Sequence, residues 1–185
     1  MRILPARQYR SKDVVTVFID SDLWSELSRF SWQVSKHGYV FRRVYAGKRA
    51  NGTSRQRDLY LHRHILGLTK GDGKTGDHIN RDPLDNRREN LRVVTQAGNA
   101  QNNSGHARTR AGEVRTLPRG VSWSRQRRKY VAQAGLNGEV HNLGFFLTVE
   151  EANAVVVAWR QEHMPYSTET PAPLPSAENT LDFAA

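Results

Sequence analysis

The sequence predicts an α+β protein assembled from small modules. The expected order is a small N-terminal sheet with a short helix, a ββα unit that concentrates the polar chemistry, a linker, and a three-stranded antiparallel sheet packed on one helix. Three observations lead there. A chain of 185 residues with 37% hydrophobic content and a mean hydropathy of -0.69 cannot supply one large core. Short runs rich in β-branched and aromatic residues, such as Asp13 to Ile19, have the length and composition of strands. Near the C-terminus, three strand-like runs, two of them joined by Asn137-Gly138, lead into a helix announced by Thr148 and Glu151.

Residues 1–60 make the first module. After the strand at 13–19, Ser21 is placed to cap a helix in which Leu23, Leu27 and Phe30 recur at i, i+4 and i+7. Trp32 to Val34 and Tyr39 to Val44 read as strands turning at Lys36-His37-Gly38. A basic loop, Ala46 to Arg57, then leads to a strand at Asp58 to Leu61. Arg42, Arg43, Lys48, Arg49, Arg55 and Arg57 suit phosphate contacts as well as plain solvation. His62 and His64, two apart on the expected strand end, would share a face. No Cys or third His lies nearby to make a zinc site, so packing or a phosphate contact fits them better. The Gly-rich stretch 65–76 lacks the order of a nucleotide-binding loop and reads as the lead into the next strand.

Residues 61–104 form the second module. Asp77-His78 is followed by turn chemistry at Asp82-Pro83 and Asp85-Asn86, so the chain can fold back towards Asn90 and the apolar-basic Leu91 to Val94. Thr95 can cap a helix on which Asn99, Asn102 and Asn103 share a face. A strand end with Asp77-His78 would then converge on a helix with Asn99. The Asp77 carboxylate and the Asn99 amide offer hard oxygens suited to Mg2+, with Mn2+ the alternative. His78, near neutral at physiological pH, can take a proton from water, and Asn90, which does not titrate, can brace the loop.

Residues 105–117 are expected to be a basic linker, residues 118–167 a second compact unit, and residues 168–185 a disordered tail. In the second unit, strands are expected at Gly120 to Ser124, Lys129 to Gly135 and Val140 to Gly144. The helix should carry an apolar stripe of Ala152, Val155, Val156 and Trp159. Alternation turns Val121, Trp123, Tyr130, Ala132 and Ala134 towards the helix, and makes Trp123 a core residue. The open face receives Ser122, Ser124, Val131 and Gln133, edged by Arg125, Arg127 and Arg128, a surface suited to a DNA major groove.

Net charge is +10, and the last eighteen residues hold three acids and no base, leaving +13 on the first 167. Such an excess points to a polyanion. No cysteine is present, which excludes disulfides and four-cysteine zinc ribbons. No apolar run approaches bilayer length, and the start has no signal-like core, so a cytoplasmic location is expected, that of the host cell if the protein is phage-encoded.

Leu61-His62-Arg63, Asp77-His78-Ile79-Asn80, Leu84-Asp85-Asn86-Arg87 and Glu89-Asn90-Leu91-Arg92 together resemble the HNH nucleases, in particular the phage and intron-borne homing endonucleases with Asn in place of the last His. The resemblance implies a ββα-metal module with Asp77 and Asn99 as metal ligands, His78 as general base and Asn90 as the middle residue. It also implies cleavage to 3'-hydroxyl and 5'-phosphate ends. Arg119-Gly120-Val121, Lys129 to Ala132, Leu143 to Phe146 and Thr148 to Ala152 resemble the plant ethylene-response-factor (Apetala-type) DNA-binding domain, which is also found fused to HNH nucleases in phages and bacteria. That likeness implies DNA reading by Ser122, Ser124, Arg125, Gln133 and Asn142. The combined expectation is a monomeric, metal-dependent endonuclease acting on double-stranded DNA, nicking one strand at sites chosen largely by its C-terminal sheet. The alternative is a non-catalytic, sequence-specific DNA-binding regulator carrying a decayed nuclease module. A ribosome-associated RNA binder would explain the charge but leave the Asp77, His78 and Asn99 array unused.

Overall fold

In the computed structural model, residues 1–102 and 116–169 are described; most of the expected linker at 105–117 and of the expected tail at 168–185 lies outside them. The chain is α+β and divides into two compact units, Met1–Asn99 and Ala100–Ala185, described here in turn.

The first unit is built on a five-stranded sheet, in the order β2-β1-β3-β4-β5, of β1 (Arg2–Arg7), β2 (Val14–Ile19), β3 (Trp32–Val34), β4 (Val40–Lys48) and β5 (Ser54–Tyr60). β1 is not among the expected strands, and it carries Pro5, which cannot donate to a ladder. The chain tolerates it because β3 pairs only with Ala6 and Arg7, so Pro5 lies where β1 has β2 alone as neighbour. The expected loop Ala46 to Arg57 is instead mostly a hairpin, with Val44 opposite Arg57 and Arg43 opposite Asp58. Its polar composition is that of an exposed edge strand.

After β2, the expected helix is a 3-10 turn at Ser21–Leu23 and one turn of α1 (Trp24–Leu27). Ser21 does not cap it; its Oγ accepts a bond from the Met1 amino group, 2.9 Å away. Leu4, Ala6, Val17, Ile19, Leu27, Trp32, Val34, Val40 and Leu61 form the core. Phe30, the last member of the expected stripe, is partly exposed and lies under the Arg42 guanidinium, 3.7 Å from the ring centre.

Leu61 opens a helix, α2 (Leu61–Ile65), where a strand end was expected. His62 and His64 therefore diverge: His62 is buried, while His64 reaches Glu26 at 2.8 Å. A two-stranded antiparallel sheet of β6 (Thr75–His78) and β7 (Leu91–Val94) follows, then α3 (Gln96–Gln101). The Thr95 Oγ1 accepts from the Gly98 N–H at 3.1 Å, an N-cap bond. The loop between β6 and β7 is anchored to β2 by Phe18 N–H to Leu84 O and Asn86 N–H to Phe18 O, at 2.9 and 2.8 Å.

In the second unit, β8 (Val121–Ser124), β9 (Lys129–Leu136) and β10 (Glu139–Phe146) form an antiparallel sheet, in the order β10-β9-β8, packed on α4 (Val149–His163). Thr148 and Glu151 complete the capping box, and Asn137-Gly138 turns with both φ positive, at 54° and 86°. The buried stripe of α4 is rotated from the expected one. Ala152 and Val156 are in the core, but Val157 and Arg160 are buried beside them, while Val155 and Trp159 are only half-buried. Arg160 holds this register by donating to Arg119 O at 3.0 Å and pairing with Glu169 at 2.5 Å. Gly120 is required where it stands, because at φ +87° a Cβ would come within 2.4 Å of Gln133 O. No helix among the described residues is long and apolar enough to cross a membrane.

Candidate active site

The candidate site lies in the first unit, where the β6–β7 pair meets α2. Register places Asp77 opposite Arg92 and His78 opposite Leu91. Gly76, Asp77 and His78 are all buried. The Arg92 Nε and Nη2 groups both converge on Asp77 Oδ2, at 2.8 and 2.7 Å. A carboxylate at 7% exposure needs such charge-assisted bonds, and they fix its direction.

The loop that returns from His78 to β7 is held by its own polar side chains. Asn80 Oδ1 accepts from Asp82 N–H and Asp82 Oδ1 from Leu84 N–H, at 2.8 and 2.9 Å, so each short side chain closes a turn. Asn90 spans the loop: its Oδ1 accepts from Asn80 N–H at 2.9 Å. Its Nδ2 donates to Asn80 Oδ1 and to Asp85 O, at 2.9 and 2.8 Å. Asp85, also buried, is held by two Arg87 donors at 2.8 and 2.7 Å, which keep its carboxyl below the usual carboxylate range.

The His78 ring is fixed from several sides. Asn86 is buried, with Nδ2 donating to Pro83 O at 3.0 Å, and this orientation turns its Oδ1 towards His78 Nε2 at 3.4 Å. With that oxygen as acceptor, Nε2 carries the proton of the neutral ring and Nδ1 is the basic nitrogen. The ring centre of His62 lies 5.1 Å from that of His78, edge to face, and that of Tyr39 lies 6.1 Å away. Burial pushes the His78 pKa below the ordinary imidazole value, with Asn86 and Asp77 partly opposing the shift. His62, at 7% exposure, is pushed down to about 3, first by burial and then by His78 and Arg63. Both imidazoles are therefore neutral at pH 7.

Asn99 lies on α3, half-buried, with its backbone N–H bonded to Thr95 O at 2.9 Å. Among the described residues, no hydrogen bond joins its side chain to Asp77, and no three His, Cys, Asp or Glu side chains cluster to hold a metal. Asn102 follows the last residue of α3, and its Oδ1 accepts from Thr168 Oγ1 at 2.6 Å. Asn103 lies outside the described residues.

Residues 59–101 match the family model of HNH endonucleases. The matched segment runs from the end of β5 to the end of α3 and contains Asp77, His78, Asn90 and Asn99. The match supports an HNH nuclease domain, in a segment that is under a quarter of the chain. No curated protein and no solved structure matches the chain.

Arg92 and Asn86 have no individual role at the site in the sequence analysis, and His62 has only packing or a phosphate contact. Arg92 faces Asp77 only through the β6–β7 register, which the sequence does not give. The Asp85-Asn86 pair signals a turn, and its sequence gives no sign that Asn86 faces His78. His62 does pack, but from α2 rather than a strand end, and against His78.

In the second unit, register puts Ser122 opposite Val131 and Asn142 opposite Gln133, so these four share the face away from α4. Ser124 pairs with Lys129, and its Oγ accepts from Arg127 N–H at 3.3 Å. Arg125, Arg127 and Arg128 are exposed on the β8–β9 turn, with the Arg127 guanidinium 4.3 Å from the Phe145 ring centre. Asn142 Oδ1 accepts from Gly144 N–H at a bulge. Trp123 is on the helix side of the sheet but 47% exposed; it contacts Tyr130 at the sheet margin and is not a core residue.

Proposed function

We propose that this protein is a divalent-metal-dependent DNA endonuclease that hydrolyses one phosphodiester per active site, nicking duplex DNA as a monomer. The observation that carries the reading is a buried His78 held by Asn86, beside an Asp77 carboxylate fixed by Arg92, inside the segment that matches the HNH endonucleases.

The donor chemistry fits a hard cation. Asp77 and Asn99 would hold it through one carboxylate and one amide oxygen, leaving its other positions to water and phosphate, as Mg2+ prefers. When bound, the ion supplies Lewis-acid stabilisation of charge at the departing ribose oxygen.

The remaining work belongs to the chain. His78 takes a proton from the attacking water through Nδ1 as the new O–P bond forms and the P–O3' bond breaks. The products are a 5'-phosphate and a 3'-oxygen that takes a proton from solvent. Because burial lowers the His78 pKa, the ring is unprotonated and ready at pH 7. Asn90 positions His78 by bracing the loop, while Asn86 selects the tautomer. In the second unit, Ser122, Ser124, Arg125, Arg127, Arg128, Gln133 and Asn142 read or grip the duplex in the manner of an ethylene-response-factor domain and choose the site.

Supercoiled plasmid provides the test. Wild type should convert it to open circle with Mg2+ and leave it intact in EDTA. His78→Ala should lose activity by about 10²–10⁴-fold, the usual worth of a general base, with DNA affinity within a few fold of wild type. Equal nicking by His78→Ala rules out the general-base role.

A further inference from the structure

Beside the candidate active site, between the β5 edge and the loop after α2, lies a groove of about 590 Å3 with Arg55, Arg57, Arg63, Lys70 and Lys74 along its walls. We infer that this groove is a second nucleic-acid site, which holds the phosphodiester backbone of the same duplex a few nucleotides from the cleaved bond. The inference rests on the nuclease reading for its duplex and on the groove itself for its chemistry.

Charge is the first support. Of the acids at the groove, Asp58 is paired with Arg43 at 3.6 Å, and Asp72 is taken up by Arg63 at 3.3 Å. Arg55, Arg57, Lys70 and Lys74 have no acidic side chain within 4.0 Å among the described residues. Four unneutralised cations around one concavity repel one another in the free protein, and a polyanion relieves that repulsion.

The second support is that the far wall is built in advance. Arg63 donates to Lys74 O at 2.9 Å and to Thr69 O at 2.6 Å. Asp72 accepts from Thr69 N–H at 2.7 Å and from Lys74 N–H at 2.9 Å. Arg63 and Asp72 are thereby spent on loop shape, and the loop holds Lys70 and Lys74 opposite β5. On β5, Arg55 and Arg57 fall on one face of an edge strand, which has no strand beyond it among the described residues.

Position is the third. Tyr60 lines the groove, its ring centre 5.9 Å from that of His62, which in turn lies 5.1 Å from His78. At roughly 3.4 Å of axial rise per phosphate along one strand, a backbone with its scissile phosphate at His78 reaches the groove within about three or four phosphates. A free nucleotide or an acidic peptide would use the charge but not this placement.

The experiment measures binding of the full chain to duplex DNA in EDTA, so that no cleavage is needed, as a function of salt. Each phosphate neutralised contributes about 0.9 to the slope of log affinity against log salt. Substituting Arg55, Arg57, Lys70 and Lys74 together with Gln should lower the slope by about 2 to 4, with a matching loss of affinity near 0.15 M salt. Substituting Arg7, Lys12, Arg29 and Lys36, exposed cations that do not line the groove, should change it by less than about 1. Arg55→Lys/Arg57→Lys, which keeps the charge, should retain the wild-type slope and guards against misfolding as the cause. Equal loss in the two quadruple variants, or none in the groove variant, overturns the inference. A protein that binds with the expected slopes but never cleaves leaves the groove standing and defeats only the nuclease reading.

Discussion

Gly76→Ala probes the contact on which the candidate active site is built. On β6, an added Cβ would stand 2.8 Å from His62 Cδ2 and 3.0 Å from Leu66 Cδ1. Ordinary carbon contacts begin near 3.5 Å, so the His62 ring must retreat by about 0.7 Å. Leu66 can move its terminal methyl cheaply. The imidazole cannot move as freely, because Tyr39, Tyr60 and His78 stand around it with ring centres 5.5, 5.9 and 5.1 Å away. Overpacking of this kind costs about 1–3 kcal/mol. Relief of the unfolded-chain entropy of Gly returns about 0.5–1 kcal/mol of it. The expected net is about 1–2 kcal/mol, a fall of roughly 5–10 °C in the melting temperature of a domain this size. The same displacement reaches His78, where a misplacement approaching 1 Å costs on the order of 10²-fold in rate. Thermal melting and plasmid nicking measure the two effects, and a double-mutant cycle with His62→Ala should show coupling above about 1 kcal/mol. A Gly76→Ala protein that melts and nicks like wild type would refute the argument that His62 packs His78 into place.

The buried imidazoles make the fold sensitive to acid. The folded His62 pKa of about 3 is below the ordinary 6.5, so between those values the unfolded chain binds more protons. Stability is full above about pH 6.5 and falls as pH drops towards 3, by about 2 kcal/mol between pH 7 and 5. His78 shifts in the same direction and adds to the loss; His62→Phe should flatten the dependence in urea titrations at the two pH values. Asn90→Ala removes three hydrogen bonds from the β6–β7 loop; a loss of about 2–3 kcal/mol is expected from urea unfolding, and a loss under about 0.5 kcal/mol argues against the brace. Gly120→Ala combines a positive φ with a clash at Gln133 O and should destabilise the second unit by more than about 2 kcal/mol, seen as a lower melting temperature.

What the sequence made legible was whatever local chemistry determines. The capping box at Thr148, the Asn137-Gly138 turn and the strand after Asp13 depend on neighbouring residues and formed as expected. Misreadings came where tertiary partners decide. β5 looks like a loop because an edge strand keeps polar residues, and only pairing with β4 makes it a strand. α4 turned its stripe because the buried Arg160 has partners far along the chain, in Arg119 and Glu169. At the candidate site, the spacing of Asp77, His78, Asn90 and Asn99 was readable. The pairing of Asp77 with Arg92 and the packing of His62 on His78 were not, since each joins elements whose register or type was unknown.

The proposed activity requires an ion shared by Asp77 and Asn99 next to His78. Its most direct test is a crystal of the full chain, as His78→Ala with uncut duplex and Mn2+, examined for anomalous scattering. One peak is expected within about 2.3 Å of an Asp77 carboxylate oxygen and of the Asn99 amide oxygen, touching a DNA phosphate. A peak held by other side chains, or a phosphate seated at position 78 with no ion near Asp77, contradicts it.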